Sequence, residues 1–391
     1  MEGIVLPPSK SVAARALICR EVFGECTRLE GLPECDDTRE LGAALAVLAE
    51  SRGKKCTCFL GSGATSMRFF LAYAASLPGT EVEVTCSGQL MRRPVAPLVE
   101  ALREAGGEVC YLGEEGHPPL LVRGYALDGG VVRIDGAVSS QFASALMLAS
   151  PLWKNGLVAD FGGREPVSAP YLEMTRRVME AFAARPAQFH VEADWSAASY
   201  FYEYALLHPG REVRVENLVV SDHPLQGDAA CRTLFAAVGV DTCVLPRGGV
   251  VISGDAGRIS ALAESKQTVT LDLGATPDLV PALAVGLCFA GIRFRFDGVG
   301  HLRHKECDRL EALRLELGKA GFVLPDAGES LLWAGERREC PCGIGFDSHG
   351  DHRIAMALAV ASDCVPGMWI DDAGVVSKSF PDFFEELAKL S

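Results

Sequence analysis

The chain has 391 residues, enough for two or three domains with a sizeable core. Its net charge of −14 argues against a nucleic-acid partner, so any anion it handles must be met by locally focused Lys and Arg. At 49% hydrophobic residues it reads as an ordinary globular chain; the apolar run 279–292 is too short and interrupted to span a bilayer, no signal-peptide pattern opens it, and a cytoplasmic protein without a membrane partner is expected.

The first turn runs Leu6-Pro7-Pro8-Ser9-Lys10-Ser11 and leads into an apolar helix. The prolines hold an extended segment, Ser9 or Ser11 can cap the helix, and Ser11 and Arg15 share a face. A lysine, hydroxyls and an arginine around free backbone N–H groups suit an anion, although the same residues also describe a plain solvated helix start. Further along, short β-rich segments alternate with helices expected to begin near Ser9, Ala64, Ser139, Trp195, Thr276 and Gly350. Amphipathic helices alternate with them, beginning near Asp36, Arg93 and Gly227 and spanning Glu306 to Lys319. The spacing of 55 to 80 residues suggests six copies of one supersecondary unit, three and three.

Phe59 to Arg68 reads as a strand, a glycine turn and a helix start; it lacks the lysine of a P-loop and alone is better explained by a structural turn. Ser139, Ser140 and Gln141 put more polar groups at a helix mouth than capping needs. Thr276-Pro277-Asp278 sets a carboxylate in a first turn, either to act or merely to complement the helix dipole. Lys305 and Arg309 are expected four apart on one helix with Glu306 between them, and Gly350-Asp351-His352-Arg353 opens another. The 14 cysteines, including two C-x-C pairs, read as reduced packing thiols, and neither H-x-x-H pair, His301/His304 nor His349/His352, sits in a zinc pattern, so no metal is expected.

Taken in order, the opening turn, the Gly61 to Arg68 loop, Arg93-Pro94, Val138 to Phe142, Gln226-Gly227-Asp228, Pro277-Asp278, Lys305-Glu306-Cys307-Asp308-Arg309, Asp351-His352-Arg353 and Lys378 to Asp382 resemble the enolpyruvyl transferases. Within these the match is to the 5-enolpyruvylshikimate-3-phosphate synthases, over essentially the whole chain. The resemblance implies an α/β fold: a two-domain inside-out α/β barrel, each domain of three βαβαββ-type repeats with helix N-termini facing the interdomain cleft. It puts an N-terminal domain at 10–224, with a shortened third repeat at 183–194, and a C-terminal domain at 225–391 with 1–9. It implies transfer of the enolpyruvyl group of phosphoenolpyruvate to the 5-hydroxyl of shikimate 3-phosphate with release of phosphate, by a monomer without metal or organic cofactor.

Carried onto matching positions, Lys10, Ser11, Arg15, Ser139, Ser140, Gln141, Ser168, Asp278 and Lys305 resemble the shikimate-phosphate ligands. Lys10, Gly63, Ala64, Arg93, Gln141, Arg309, Arg353 and Lys378 resemble the phosphoenolpyruvate clamp, and Lys10, Asp278 and Glu306 the catalytic groups. Ala64 stands where the family commonly has glycine, which leads us to expect weak inhibition by glyphosate. The competing readings are a UDP-N-acetylglucosamine enolpyruvyl transferase, whose reactive cysteine loop is not evident, and a non-catalytic binding protein on the same scaffold.

Overall fold

The computed structural model describes residues 3–24, 26–51, 53–134, 140–163, 168–340 and 343–390. They divide into two compact units: Pro8–Val191, and the residues up to Pro7 together with those from Glu192 onward. The first division falls between Pro7 and Pro8. The second falls at Val191/Glu192, and residues 192 to 224 pack with those that follow them. Gln226 explains this. Its Oε1 accepts from the Trp195 N–H at 3.0 Å, and its Nε2 donates to Glu192 Oε1 at 2.8 Å and the Ala193 carbonyl at 2.7 Å, which staples residues 192–226 into one body.

In the Pro8–Val191 unit the interior is helical. Helices Lys10–Phe23, Ala64–Ala75 and Ser140–Ala149 are buried over most of their length, because small and apolar residues surround their axes. Helices Asp36–Ser51, Ala96–Glu104 and Ala169–Ala183 bury one face only. Short open sheets complete the unit. The largest orders Cys56–Phe59, Glu81–Thr85, Leu120–Arg123 and Glu108–Tyr111, the first pair parallel and the others antiparallel. Gly130–Arg133 pairs in parallel with Leu157–Asp160. The short link after Ala183 holds one strand, Gln188–His190, which pairs in parallel with Arg28–Glu30 far back in the chain.

The other unit repeats the plan around helices Trp195–Leu207, Val280–Phe289 and His352–Val360, whose side chains form one continuous core with Ile4, Leu6, Phe235, Phe294 and Phe383. Its sheets are Val240–Val244, Val250–Gly254 and Glu212–Val215; then Val269–Asp272, Phe294–Asp297 and Leu331–Trp333; then Gly345–Asp347 with Trp369–Asp371. The start of the chain is a strap on this unit. Ile4 bridges Val215 in parallel, Val5 N–H donates to Glu386 Oε2 at 3.0 Å, and Leu6 exchanges two bonds with the Asn217 amide at 2.9 and 2.7 Å.

No disulfide joins the described cysteines, and among the described residues no group of His, Cys, Asp or Glu converges as a metal site. No helix of the described residues is long and apolar enough to cross a membrane.

Candidate active site

Helix Lys10–Phe23 begins where expected, with Ser9 as N-cap accepting from the Val12 N–H at 3.5 Å. Lys10 does not stand alone at this mouth: its Nζ lies 2.9 Å from Asp37 Oδ2 in the first turn of Asp36–Ser51. Asp37 is buried beneath the 61–66 turn, where the Ser66 hydroxyl donates to its carbonyl at 3.0 Å. Gly61 and Gly63 are needed there. A Cβ on Gly61, at φ +48°, would lie 1.8 Å from Glu40 Oε2, and one on Gly63 would lie 2.8 Å from Asp37 Oδ1. Lys10, Asp37, Gly63 and Ala64 therefore form one cluster, with Ala64 the first residue of its helix.

Arg15 is buried across the helix interface. Its Nε donates to Thr175 Oγ1 at 2.8 Å, Nη1 to the Ser11 carbonyl at 2.7 Å, and Nη2 to the Tyr171 carbonyl at 3.2 Å, while its guanidinium lies 5.2 Å from the Phe69 ring centroid. Among the described residues no carboxylate pairs with it, and burial pulls its pKa down to about 10, with Tyr171 and Cys19 offsetting part of the effect. Ser140 opens its helix and is buried. Ser168, at φ +59°, precedes the helix that carries Tyr171 and Thr175. Ser139 lies outside the described residues.

Arg68 was not singled out from the sequence, yet it organises this half. Buried in the second turn of Ala64–Ala75, it donates through Nη1 to Gln141 Oε1 and through Nη2 to the Pro94 carbonyl at 3.1 Å, over the Phe142 ring. Gln141 is thereby tied to the segment that carries the buried Arg93. An arginine inside an otherwise apolar helix was the available signal.

The other unit centres on Arg309. Its helix is Arg309–Lys319, capped by Asp308, which accepts from the Glu311 N–H at 3.0 Å. The expectation of a helix from Glu306 is corrected: Lys305 and Glu306 precede it, because the cap breaks the chain at Asp308, and they do not share a turn with Arg309. Arg309 is 1% exposed and is gripped by three carboxylates, with Nε 2.7 Å from Asp351 Oδ2, Nη1 2.9 Å from Asp278 Oδ1 and Nη2 2.9 Å from Glu306 Oε2. Asp278 also meets Arg353 Nη2 at 2.7 Å, and Glu306 meets Lys378 Nζ at 3.2 Å. Asp278, Glu306, Arg309, Arg353 and Lys378 thus form one network, closed by Asp351, the N-cap of His352–Val360.

The electrostatics follow. Burial works against a charge on Asp278, but Arg353, Arg309 and Lys305 outweigh it and hold the carboxyl well below the ordinary range. Burial also opposes the Arg309 charge, and Asp351, Glu306 and Asp278 reverse that, leaving the guanidinium firmly protonated. Asp228 goes the other way: burial and the nearby Asp278 charge push it up to about 7, against the bond donated by the Ser196 hydroxyl. His301 is lowered to about 4 by burial and Lys305. In the sequence Asp37 and Asp228 look like ordinary first-turn acids; their burial is what marks them.

Two α/β units of buried helices wrapped by short open sheets, with cations and carboxylates at the helix starts, make the architecture of an enolpyruvyl transferase. A solved EPSP synthase from Acinetobacter baumannii superposes with a TM-score of 0.69 at 19% identity, covering 100% of this chain and 95% of that one. The enolpyruvyl transferase NikO from Streptomyces tendae does so with 0.68 at 13%, covering 100% and 94%; both likenesses concern the fold alone. The family model described as EPSP synthase (3-phosphoshikimate 1-carboxyvinyltransferase) matches residues 1–185 and 183–387. A Bacteroides fragilis protein named 3-phosphoshikimate 1-carboxyvinyltransferase is 37% identical over 404 residues, 99% of this chain and 94% of its own length. The chain belongs to the EPSP synthase family.

Proposed function

We propose that the protein transfers the carboxyvinyl group of phosphoenolpyruvate to the 5-hydroxyl of shikimate 3-phosphate and releases phosphate. The observation that carries this reading is the Asp278–Arg309–Arg353 cluster, in which one carboxylate is kept ionised by two guanidinium groups suited to bidentate phosphate binding. In the reading, Arg309, Arg353 and Lys378 hold phosphoenolpyruvate, with Arg93, Gln141, Gly63 and Ala64 as its contacts in the Pro8–Val191 unit. Shikimate 3-phosphate takes Ser11, Arg15, Ser139, Ser140, Gln141 and Ser168, with Lys305 and Asp278.

Addition requires a proton delivered to the methylene carbon while the 5-hydroxyl oxygen bonds to C2 and loses its own proton. The tetrahedral adduct then loses a proton from its new methyl group and expels phosphate, so that the vinyl ether forms and the balance closes. Asp278 accepts the hydroxyl proton. Held as low as it is here it is a weak base, and a phosphate that shares the charge of Arg309 and Arg353 raises its basicity. Glu306 and Lys10 move the proton at the carboxyvinyl carbon. The reading takes the enzyme as a cytoplasmic monomer acting on these two small molecules.

Phosphate release from phosphoenolpyruvate tests it, with shikimate 3-phosphate or UDP-N-acetylglucosamine as acceptor. We expect turnover with the first only; turnover with the second, or with neither, overturns the reading. Cys307 does not favour the nucleotide-sugar acceptor, since burial and Asp351 push its thiol well up and away from a reactive thiolate. Ala64 adds a buried methyl beside the Lys10–Asp37 cluster. We therefore expect poor inhibition by glyphosate, restored in Ala64→Gly; equal sensitivity of both proteins sinks the idea.

A further inference from the structure

Behind the Arg309 network a second group of polar contacts has no part in the chemistry above. Glu316 lies on the same helix as Arg309, about two turns further along, and is 1% exposed. Its Oε2 accepts from the Asp347 N–H at 3.0 Å and from Lys319 Nζ at 2.6 Å, and its Oε1 lies 2.8 Å from His349 Nε2. Lys319 also donates to the Gly345 carbonyl at 3.2 Å. The segment from Gly345 to Asp351, which ends in the residue that grips Arg309, is thus pinned to this helix at three successive levels: Lys319, Glu316 and Arg309.

His349 is the unusual member. It adopts φ +52°, a left-handed conformation uncommon outside glycine but more open to histidine than to most residues, and its N–H donates to Asp347 Oδ1 at 2.7 Å. The turn it makes lets the Gly350 N–H reach Ser348 Oγ at 3.1 Å and the Asp351 N–H reach the Ser348 carbonyl at 2.9 Å. Asp351 then caps His352–Val360 and accepts from the Arg353 N–H at 2.9 Å. The position of the Arg353 guanidinium on Asp278 therefore depends on a turn that the ring of His349 holds against Glu316.

We propose that Glu316 and His349 are positioning residues that set the placement of Asp351 and Arg353, and through them the affinity for the anionic group of phosphoenolpyruvate. The inference rests on the function given above. It deepens that function by weighting one substrate over the other, because Arg353, the group that the turn places, is assigned to phosphoenolpyruvate.

The test is steady-state kinetics with each substrate varied, on the unmodified chain and on His349→Ala, His349→Asn, His349→Gln and Glu316→Gln. Asn tolerates the left-handed backbone but is too short to reach Glu316, whereas Gln keeps a side-chain N–H near the required reach. The expected result for His349→Ala and His349→Asn is a KM for phosphoenolpyruvate raised about tenfold, the factor corresponding to one lost charge-assisted bond, with kcat and the KM for shikimate 3-phosphate within about twofold. His349→Gln should recover most of the loss. Glu316→Gln should follow His349→Ala in direction, and since it alters a buried group its melting temperature is recorded beside it.

Equal changes in both KM values, or none in the exposed-side His349 series, overturn the inference. A change in melting temperature alone does so too, since it is what a merely structural contact would give. Absence of turnover in the unmodified chain overturns the functional reading instead. Calorimetric titration with inorganic phosphate then decides the positioning role, with weaker binding by His349→Ala expected and equal binding refuting it.

Discussion

The two units bury arginine in opposite ways. In the Pro8–Val191 unit, Arg15 is enclosed by hydroxyls and carbonyls, and burial lowers its pKa to about 10. In the other, Arg309 is equally buried but faces three carboxylates, which hold it protonated. A buried cation that meets only neutral acceptors keeps part of its desolvation cost outstanding, and an incoming anion can supply the missing charge. One whose charge is already answered holds its carboxylates in place and takes up an anion only by exchanging it for one of them.

The contrast can be broken most severely at Arg309. Arg309→Met leaves Asp278, Glu306 and Asp351 without their common partner, and we expect a loss of about 3–5 kcal/mol in urea unfolding. A loss below about 1 kcal/mol would show that the network is not coupled. Lys10→Ala comes next. It should cut kcat by about a hundredfold or more, as expected for a group that moves a proton, with the far-ultraviolet circular dichroism unchanged. Near-normal turnover would remove Lys10 from the catalytic set.

Arg15→Gln sharpens the comparison from the other side. It retains hydrogen bonding to Thr175 without the charge, so the KM for shikimate 3-phosphate should rise about tenfold while stability changes by no more than about 1 kcal/mol. The smallest effect concerns Glu203, the acidic counterpart of Arg15. It is fully buried, neither carboxyl oxygen has a hydrogen-bond partner among the described residues, and burial raises its pKa well above normal. The native state therefore keeps a proton that the unfolded chain loses above about pH 4.3, so stability falls as pH rises from there toward the raised native value. Glu203→Gln should match the parent near pH 4 and exceed it by a growing margin as pH rises toward 8, read from melting curves; parallel pH profiles would count against a neutral Glu203.

The helix starts were legible because their signals are local. Ser9, Gly63, Asp194, Pro277 and Asp351 each precede a run of small apolar residues, and the helices begin there. The break at Asp308 was local too, since Asp308 with Glu311 is a capping pattern, but the charged run Lys305–Arg309 masked it. No change of composition marks the division at Val191/Glu192, and the staple there is an amide that reaches back more than 30 positions. Asp37, Arg68 and Glu316 share that difficulty. Each acts by meeting a residue distant in sequence, and only their burial separates them from ordinary surface charges.

The strap formed by Ile4, Val5 and Leu6 has a consequence for how the molecule is made. Its partners, Val215, Asn217 and Glu386, leave the ribosome some 200 to 380 residues later. The intervening Pro8–Val191 unit has all its own partners by then and can form first, as a domain inserted into an unfinished one. Contacts of such separation close slowly. Residues 4–6 are thus made long before their partners and are among the last to find their place, so emergence of the segment around Glu386 sets when the second core can close over them.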